Sequence, residues 1–172
     1  NAITLKNHQT KKFVVFGLQQ WNNDRDDITY IRCNTEDELL QRFISFWSAN
    51  FPDVITGWNS RFFDIPYLVN RIKVRLGEDE IKKLSPWGSV FNADVFRMGR
   101  KHTAFDLAGI SQLDYLELYQ KYTYSAQESY RLDHIGFVEL GKAKEKNPYE
   151  TFREWYQKDY QSFIDYNIQD VE

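Results

Sequence analysis

Between Thr35 and Gly77 the chain alternates helix, strand and helix, and this alternation constrains the fold more than any other feature. Thr35-Glu36-Asp37-Glu38 is a capping-box pattern, with a hydroxyl at the N-cap and an acid three residues on. Leu39, Leu40, Phe43, Ile44 and Trp47 then recur at helical spacing. Residues 53–56 read as a short strand that stops at Gly57. Tyr67, Leu68, Ile72 and Leu76 predict a second helix, which Gly77 ends, and a shorter one follows over 79–84. Three strands are expected ahead of this block, at 2–5, 12–18 and 28–33, the first two joined by a polar turn at 7–10.

Beyond it the pattern predicts a hairpin over about 89–107 with its tip near Gly99, then a helix over 113–122. A less regular stretch and a basic loop at 142–146 follow. The final helical element is expected to start at Asn147-Pro148-Tyr149-Glu150 and run to the end, with room for a break. No repeat, low-complexity tract or linker interrupts the 172 residues, so one α/β domain, a mixed sheet flanked by helices, is the expectation. That length is ample for a core.

Composition bounds the chemistry. The net charge of −3 gives no overall basic footprint, so any polyanion must be held by local basic patches or through metals on acidic side chains. Aromatics make up 17% of the chain, which suits either a dense core or a stacking surface. Cys33 stands alone, which excludes an internal disulfide and a cysteine-rich zinc site. His8, His102 and His134 have no metal-ligand spacing. No signal peptide or apolar run of membrane-spanning length is present, and a reducing, cytoplasmic setting without membrane association is the expectation.

Two segments carry candidate chemistry. In Thr56-Gly57-Trp58-Asn59-Ser60-Arg61-Phe62-Phe63-Asp64-Ile65-Pro66-Tyr67 an acid stands at a strand–helix junction, where α/β proteins commonly bind ligands. The ordinary alternative is that Asp64 caps the helix, with Pro66 in its first turn and Asn59 forming a turn. In Tyr166-Asn167-Ile168-Gln169-Asp170 a phenol and a carboxylate four residues apart share a helix face. That pair could hold an oxygen-loving cation and orient a water beside it. The ordinary alternative packs Tyr166 on Phe163 and leaves Asp170 a surface acid.

In this order and separation the two segments resemble the second and third exonuclease motifs of family B DNA polymerases: Asn-x-x-x-Phe-Asp from Asn59 to Asp64, and Tyr-x-x-x-Asp from Tyr166 to Asp170. The chain is most similar to the T-even bacteriophage branch. The likeness includes Thr56-Gly57-Trp58-Asn59, Phe63-Asp64-x-Pro66-Tyr67-x-x-Asn70-Arg71, Leu113-Asp114-Tyr115-Leu116-Glu117-Leu118-Tyr119 and Ser129-Tyr130-Arg131-Leu132-Asp133. The resemblance implies a ribonuclease H-like fold and a proofreading 3′–5′ exonuclease that releases 5′-mononucleotides. It implies two divalent ions, Mg²⁺ or Mn²⁺, about 4 Å apart on four carboxylates. Asp64 and Asp170 would be metal ligands, Tyr166 would orient the attacking water, and Asn59 would lie near the bound 3′-terminal nucleotides. The implied partners are the single-stranded 3′ end of primer DNA, the remainder of a polymerase chain and a sliding clamp, in the cytoplasm of an infected bacterium.

The family's first motif, Asp-x-Glu on the first and central strand, has no counterpart ahead of Asn59. The chain's Asp170-Val171-Glu172 overlaps the third motif and cannot serve as the first. The acidic runs Glu36-Asp37-Glu38 and Glu78-Asp79-Glu80 fall at helix starts, where acids complement the helix dipole. The expectation is therefore a domain lacking that strand and ending just past the third motif, inert by itself. Arg97-Met98-Gly99-Arg100-Lys101-His102 is a basic cluster at the hairpin tip. A hairpin there in the resembling polymerases helps separate the primer strand, and Arg97, Arg100 and Lys101 would contact phosphates. The other readings are a tyrosine-type nuclease of the same superfamily acting on RNA or free DNA ends, and a noncatalytic nucleic-acid-binding module.

Overall fold

In the computed structural model, which describes residues 2–97, 99–141 and 147–172 without the side chains of Arg97 and Arg100, helices and strands are mixed along the chain. The strands are β1 (Ala2–Lys6), β2 (Phe13–Gly17), β3 (Ile28–Arg32), β4 (Val54–Gly57), β5 (Val90–Arg97), β6 (Arg100–Leu107) and β7 (Ser111–Asp114). The helices are α1 (Glu36–Ala49), α2 (Asp64–Leu76), α3 (Glu78–Ile81), α4 (Tyr115–Tyr122), α5 (Leu132–Leu140), α6 (Phe152–Lys158) and α7 (Tyr160–Gln169), with a 3-10 turn at Lys82–Leu84. Contacts divide them into two compact units: the described parts of Asn1–Leu40 and Ala143–Glu172, and those of Gln41–Lys142.

The first unit is built about β2, which lies between β1, antiparallel to it, and β3, parallel to it. Phe13 and Val15 turn to one face of the sheet and join Trp21, Ile28, Tyr160, Ile164 and Ile168 in a single buried cluster. Alternation of side chains along the strand and the i, i+4, i+8 spacing on α7 bring these apolar faces together. Polar groups then fix α7 on the sheet. The Thr4 hydroxyl donates to Asn167 Oδ1 (2.5 Å), and the Trp21 indole donates to Asp165 Oδ1 (2.9 Å). Leu18 N–H donates to the Tyr160 hydroxyl (2.9 Å). The Tyr30 hydroxyl donates to Gln19 O (2.6 Å), so the 3.0 Å bond between the two phenols must take its hydrogen from Tyr160. Burial, with Tyr160 beside it, holds the Tyr30 phenol well above the usual tyrosine value.

In the second unit β4 pairs in parallel with β7, and β5 and β6 form a hairpin. The Trp47 indole, from the part of α1 in this unit, donates to Leu84 O (2.9 Å). The buried Ser85 pins the base of the hairpin: its hydroxyl donates to Ala108 O (2.6 Å) and accepts from the N–H groups of Trp87 and Ser89. Helix α2 buries Pro66, Val69 and Ile72. Among the described residues no helix is long and apolar enough to cross a membrane.

Several expected elements differ in their bounds. The helix expected from residue 113 begins at Tyr115, because Leu113 and Asp114 complete a strand paired with β4. The stretch expected to be irregular contains α5. The last helical element begins at Phe152 rather than near Asn147. Asn147 instead accepts from Tyr149 N–H in an Asx turn, and Thr151 caps α6 by accepting from Glu154 N–H (3.1 Å). The break falls at Asp159, whose carboxylate caps α7 through Ser162 N–H (3.1 Å). The basic loop at 142–146 lies outside the described residues.

Gly17 is where the first unit tolerates least. A Cβ there would meet the hydroxyl oxygens of Tyr30 and Tyr160 at 2.3 Å each, so the phenol bridge requires glycine. Gly17→Ala should lower the unfolding free energy by about 1–3 kcal/mol, the usual range for overpacking, read as a lower urea midpoint at unchanged slope.

Candidate active site

Strands β4 and β7 run parallel with Gly57 opposite Asp114, so both deliver the chain at the same end of their sheet. The turn after Gly57 is tight: a Cβ there would stand 3.0 Å from Ser60 Cβ. Asn59 has φ 61°, a left-handed conformation that Asn adopts more readily than most residues. Its N–H donates to Asp114 Oδ1 (3.0 Å), and Arg61 N–H donates to Asp114 Oδ2 (3.0 Å). Asn59 O then accepts from Phe63 N–H (3.0 Å) as the chain enters α2. The N-cap of α2 is Phe63, with no side-chain cap bond, and Asp64 is the exposed first residue of the helix. Asp64 therefore does not occupy the N-cap, although a carboxylate in the first turn complements the helix dipole.

The surroundings of this loop are acidic and aromatic. The Arg61 guanidinium lies 3.3 Å from Asp106 Oδ1 and 4.0 Å from Glu117 Oε2, and its buried Nε has no hydrogen-bond partner among the described residues. The Trp58 indole donates to Tyr130 O (3.1 Å), and its ring lies 5.8 Å from that of Tyr119. The Tyr119 hydroxyl donates to Glu139 (2.5 Å), and that carboxylate holds the phenol above its usual value. Tyr119 and Tyr130 are thus packing residues, while Tyr115, Tyr122 and Tyr124 are exposed.

In the other unit, Tyr166 lies on α7 and Asp170 is that helix's C-cap, its N–H bonded to Tyr166 O (3.0 Å). One turn separates them, so the two side chains leave the same face. The half-buried Tyr166 ring packs on Trp155 (4.8 Å between centroids) and Phe152 (5.9 Å). Trp155 is itself fixed by its indole bond to Ser162 Oγ (2.7 Å). Asn59 and Asp64 belong to one unit, Tyr166 and Asp170 to the other.

At the hairpin, Gly99 has φ 72° and Arg97 pairs with Arg100 in register. The side chains of Arg97 and Arg100 lie outside the description. Lys101 is 2.8 Å from Asp94 across the strands, both about half exposed. His102 packs edge-on against Phe62 at 5.6 Å.

Among the described residues no three His, Cys, Asp or Glu side chains gather to hold a metal ion. Asp64 and Asp170 each carry the carboxylate oxygens that Mg²⁺ and Mn²⁺ prefer. Sequence reasoning missed Asp114 and Arg61. Placing a helix start at residue 113 hid both the strand that Asp114 completes and its capping position.

A family model described as DNA polymerase family B, exonuclease domain, matches residues 1–135, which include Asn59 and Asp64 and stop short of Tyr166. The chain is 41% identical over 148 residues to the DNA-directed DNA polymerase of Escherichia phage RB69, covering 85% of this chain and 16% of that polymerase. It is 35% identical over 149 residues to the DNA-directed DNA polymerase of Enterobacteria phage T4, covering 86% of the chain and again 16% of the relative. It is 31% identical over 118 residues to the DNA polymerase delta catalytic subunit of Candida albicans, covering 64% of the chain and 11% of that protein. The chain therefore spans only a small part of each polymerase it matches, and within that part it belongs to the exonuclease-domain family of the family B DNA polymerases.

Proposed function

We propose that this chain is the proofreading 3′–5′ exonuclease domain of a replicative phage-type DNA polymerase, with a ribonuclease H-like fold. The observation that carries the reading is the exonuclease-family match over residues 1–135, within which Asn59-x-x-x-Phe63-Asp64 opens a helix from a tightly bonded loop. The helical pairing of Tyr166 with Asp170 extends it beyond that match. The substrate is the single-stranded 3′ end of a mispaired primer, and the product is a 5′-mononucleotide. Two divalent ions, when bound, would supply an activated water and stabilise the charge on the leaving 3′ oxygen.

The residues of this chain have narrower roles. Asp64 and Asp170 contribute carboxylate oxygens to the ions. Tyr166, its ring held by Trp155 and Phe152, directs its hydroxyl at the attacking water. Asn59 contacts the terminal nucleotides. Arg97, Arg100 and Lys101 meet primer phosphates, which requires Lys101 to exchange Asp94 for DNA. The whole polymerase would work with a sliding clamp in the cytoplasm of an infected bacterium.

Made singly in the full-length polymerase, Asp64→Ala and Asp170→Ala should each abolish hydrolysis of a single-stranded oligonucleotide with the domain still folded by circular dichroism. An Asp64→Ala protein that hydrolyses normally and merely melts earlier would assign Asp64 to helix stability alone. The 172-residue chain by itself should show no Mg²⁺-dependent digestion of single-stranded DNA in a gel assay, since it lacks the Asp-x-Glu pair ahead of Asn59. Joint replacement of Arg97, Arg100 and Lys101 by alanine should slow excision from a mispaired duplex primer and spare single strands. Equal losses on both substrates would remove the hairpin from strand separation.

A further inference from the structure

The loop that carries Asn59 and leads to Asp64 is shaped by a residue outside it. Asp114 is 3% exposed, and its two oxygens accept three backbone hydrogen bonds, from Asn59 N–H (3.0 Å), Arg61 N–H (3.0 Å) and Leu116 N–H (2.9 Å). The first two donors converge because Asn59 is left-handed at φ 61°. A change of hand turns nearby N–H groups toward one side and makes a concavity that takes an anion. Here the Asp114 carboxylate fills it. The third bond caps α4, and the pairing of Asp114 with Gly57 ties the same residue to the strand from which the loop departs. At the far end of the loop, the N-cap of α2 makes no side-chain bond of its own. Phe62 and Phe63 N–H bond within the loop to Asn59 O, so the described bonds that tie the loop's N–H groups to another element come from the β7–α4 junction.

We propose that Asp114 is a positioning residue for the exonuclease reaction: its buried carboxylate holds the loop from Asn59 to Arg61 in the shape that presents Asn59 to DNA and Asp64 to metal. The inference rests on the proofreading reading above. Asparagine at this position would keep the size and one oxygen, but its amide nitrogen would oppose an N–H that now donates. A donor would then face a donor in a buried place, where an unmet N–H is costly enough to move the loop. Displacement of a catalytic group by about 1 Å can lower a rate about a hundredfold.

The test is Asp114→Asn in the full-length polymerase, beside Asp64→Ala and Asp170→Ala. For single-stranded oligonucleotide hydrolysis, kcat should fall about tenfold to a hundredfold, and the Mg²⁺ concentration for half-maximal rate should rise. Partial unfolding would lower the rate without moving the magnesium midpoint, so a lowered rate with an unmoved midpoint would make Asp114 merely structural and overturn the inference. Wild-type rate and midpoint in Asp114→Asn, with the other two variants inactive, would also overturn it and leave the proofreading reading standing. Full activity in Asp64→Ala and Asp170→Ala would instead overturn that reading, and this inference with it. Should Asp114→Asn fail to fold, amide hydrogen exchange in the unaltered polymerase decides. The Asn59 and Arg61 amides should exchange as slowly as that of Leu116, and fast exchange at those two would sink the proposal.

Discussion

Backbone donors left over where strands end govern the geometry of both units. A buried N–H without an acceptor costs about 1–3 kcal/mol, so each strand end must find an oxygen. At β4 the oxygen comes from Asp114, which lies 55 residues from Asn59 in the chain. At β2 it comes from the Tyr160 hydroxyl, 142 residues from Leu18. Because each acceptor belongs to a distant element, satisfying a local donor also fixes tertiary structure. The loop after β4 acquires its shape from β7, and α7 acquires its seat from the end of β2. Both residues of the phenol–carboxylate motif, Tyr166 and Asp170, follow from that seat, since they lie further along the helix that Tyr160 begins.

The abundance of aromatic residues divides between two uses that composition could not separate. Trp21, Tyr30, Tyr156, Tyr160 and Phe163 pack in or against the core of the first unit, several with tilted or edge-on ring contacts. Trp155 is buried and forms the wall for Tyr166. Others are left in solvent: Trp87 and Phe96 are each 76% exposed, and Tyr124 is fully so. Most of the large rings near Tyr166 thus fix its orientation. That matters for a phenol whose proposed task is to aim one hydroxyl, because a ring free to swing would lose the benefit of proximity.

What could be read from the chain follows from how local each determinant is. The capping box before α1 forms within one turn: Glu38 N–H donates to Thr35 Oγ1 (3.2 Å), and the Glu38 carboxylate reaches back to Asn34 N–H (2.8 Å). Gly77 ends α2 with φ 104°, beyond easy reach of other residues. Such signals need no partner from elsewhere. The start of α4 was misplaced because Leu113 and Asp114 look helical by spacing, whereas pairing with β4 makes them strand. Helix α5 escaped notice because Phe137, Val138 and Leu140 are exposed, so its apolar residues do not mark one buried face. The site was legible only in part. Asn59, Asp64, Tyr166 and Asp170 stand out through resemblance, and Asp114 emerges only when its three donors are seen in space.

The two motif carboxylates differ in what their positions require. Asp64 opens α2, where the positive end of the helix dipole favours an anion, so its presence has a structural rationale independent of any ion. Asp170 caps the C-terminus of α7, where the dipole is negative and disfavours an anion by about 0.3–1 kcal/mol. Helix α7 places no basic residue in its last turn to offset this. An acid at that end adds no helix stability, whereas a divalent cation would be drawn there by the carboxylate and the carbonyl ends together. Local electrostatics therefore make Asp170 the more informative of the pair. Helix stability would account for Asp64, whereas the dipole of α7 supplies no such reason for the carboxylate of Asp170.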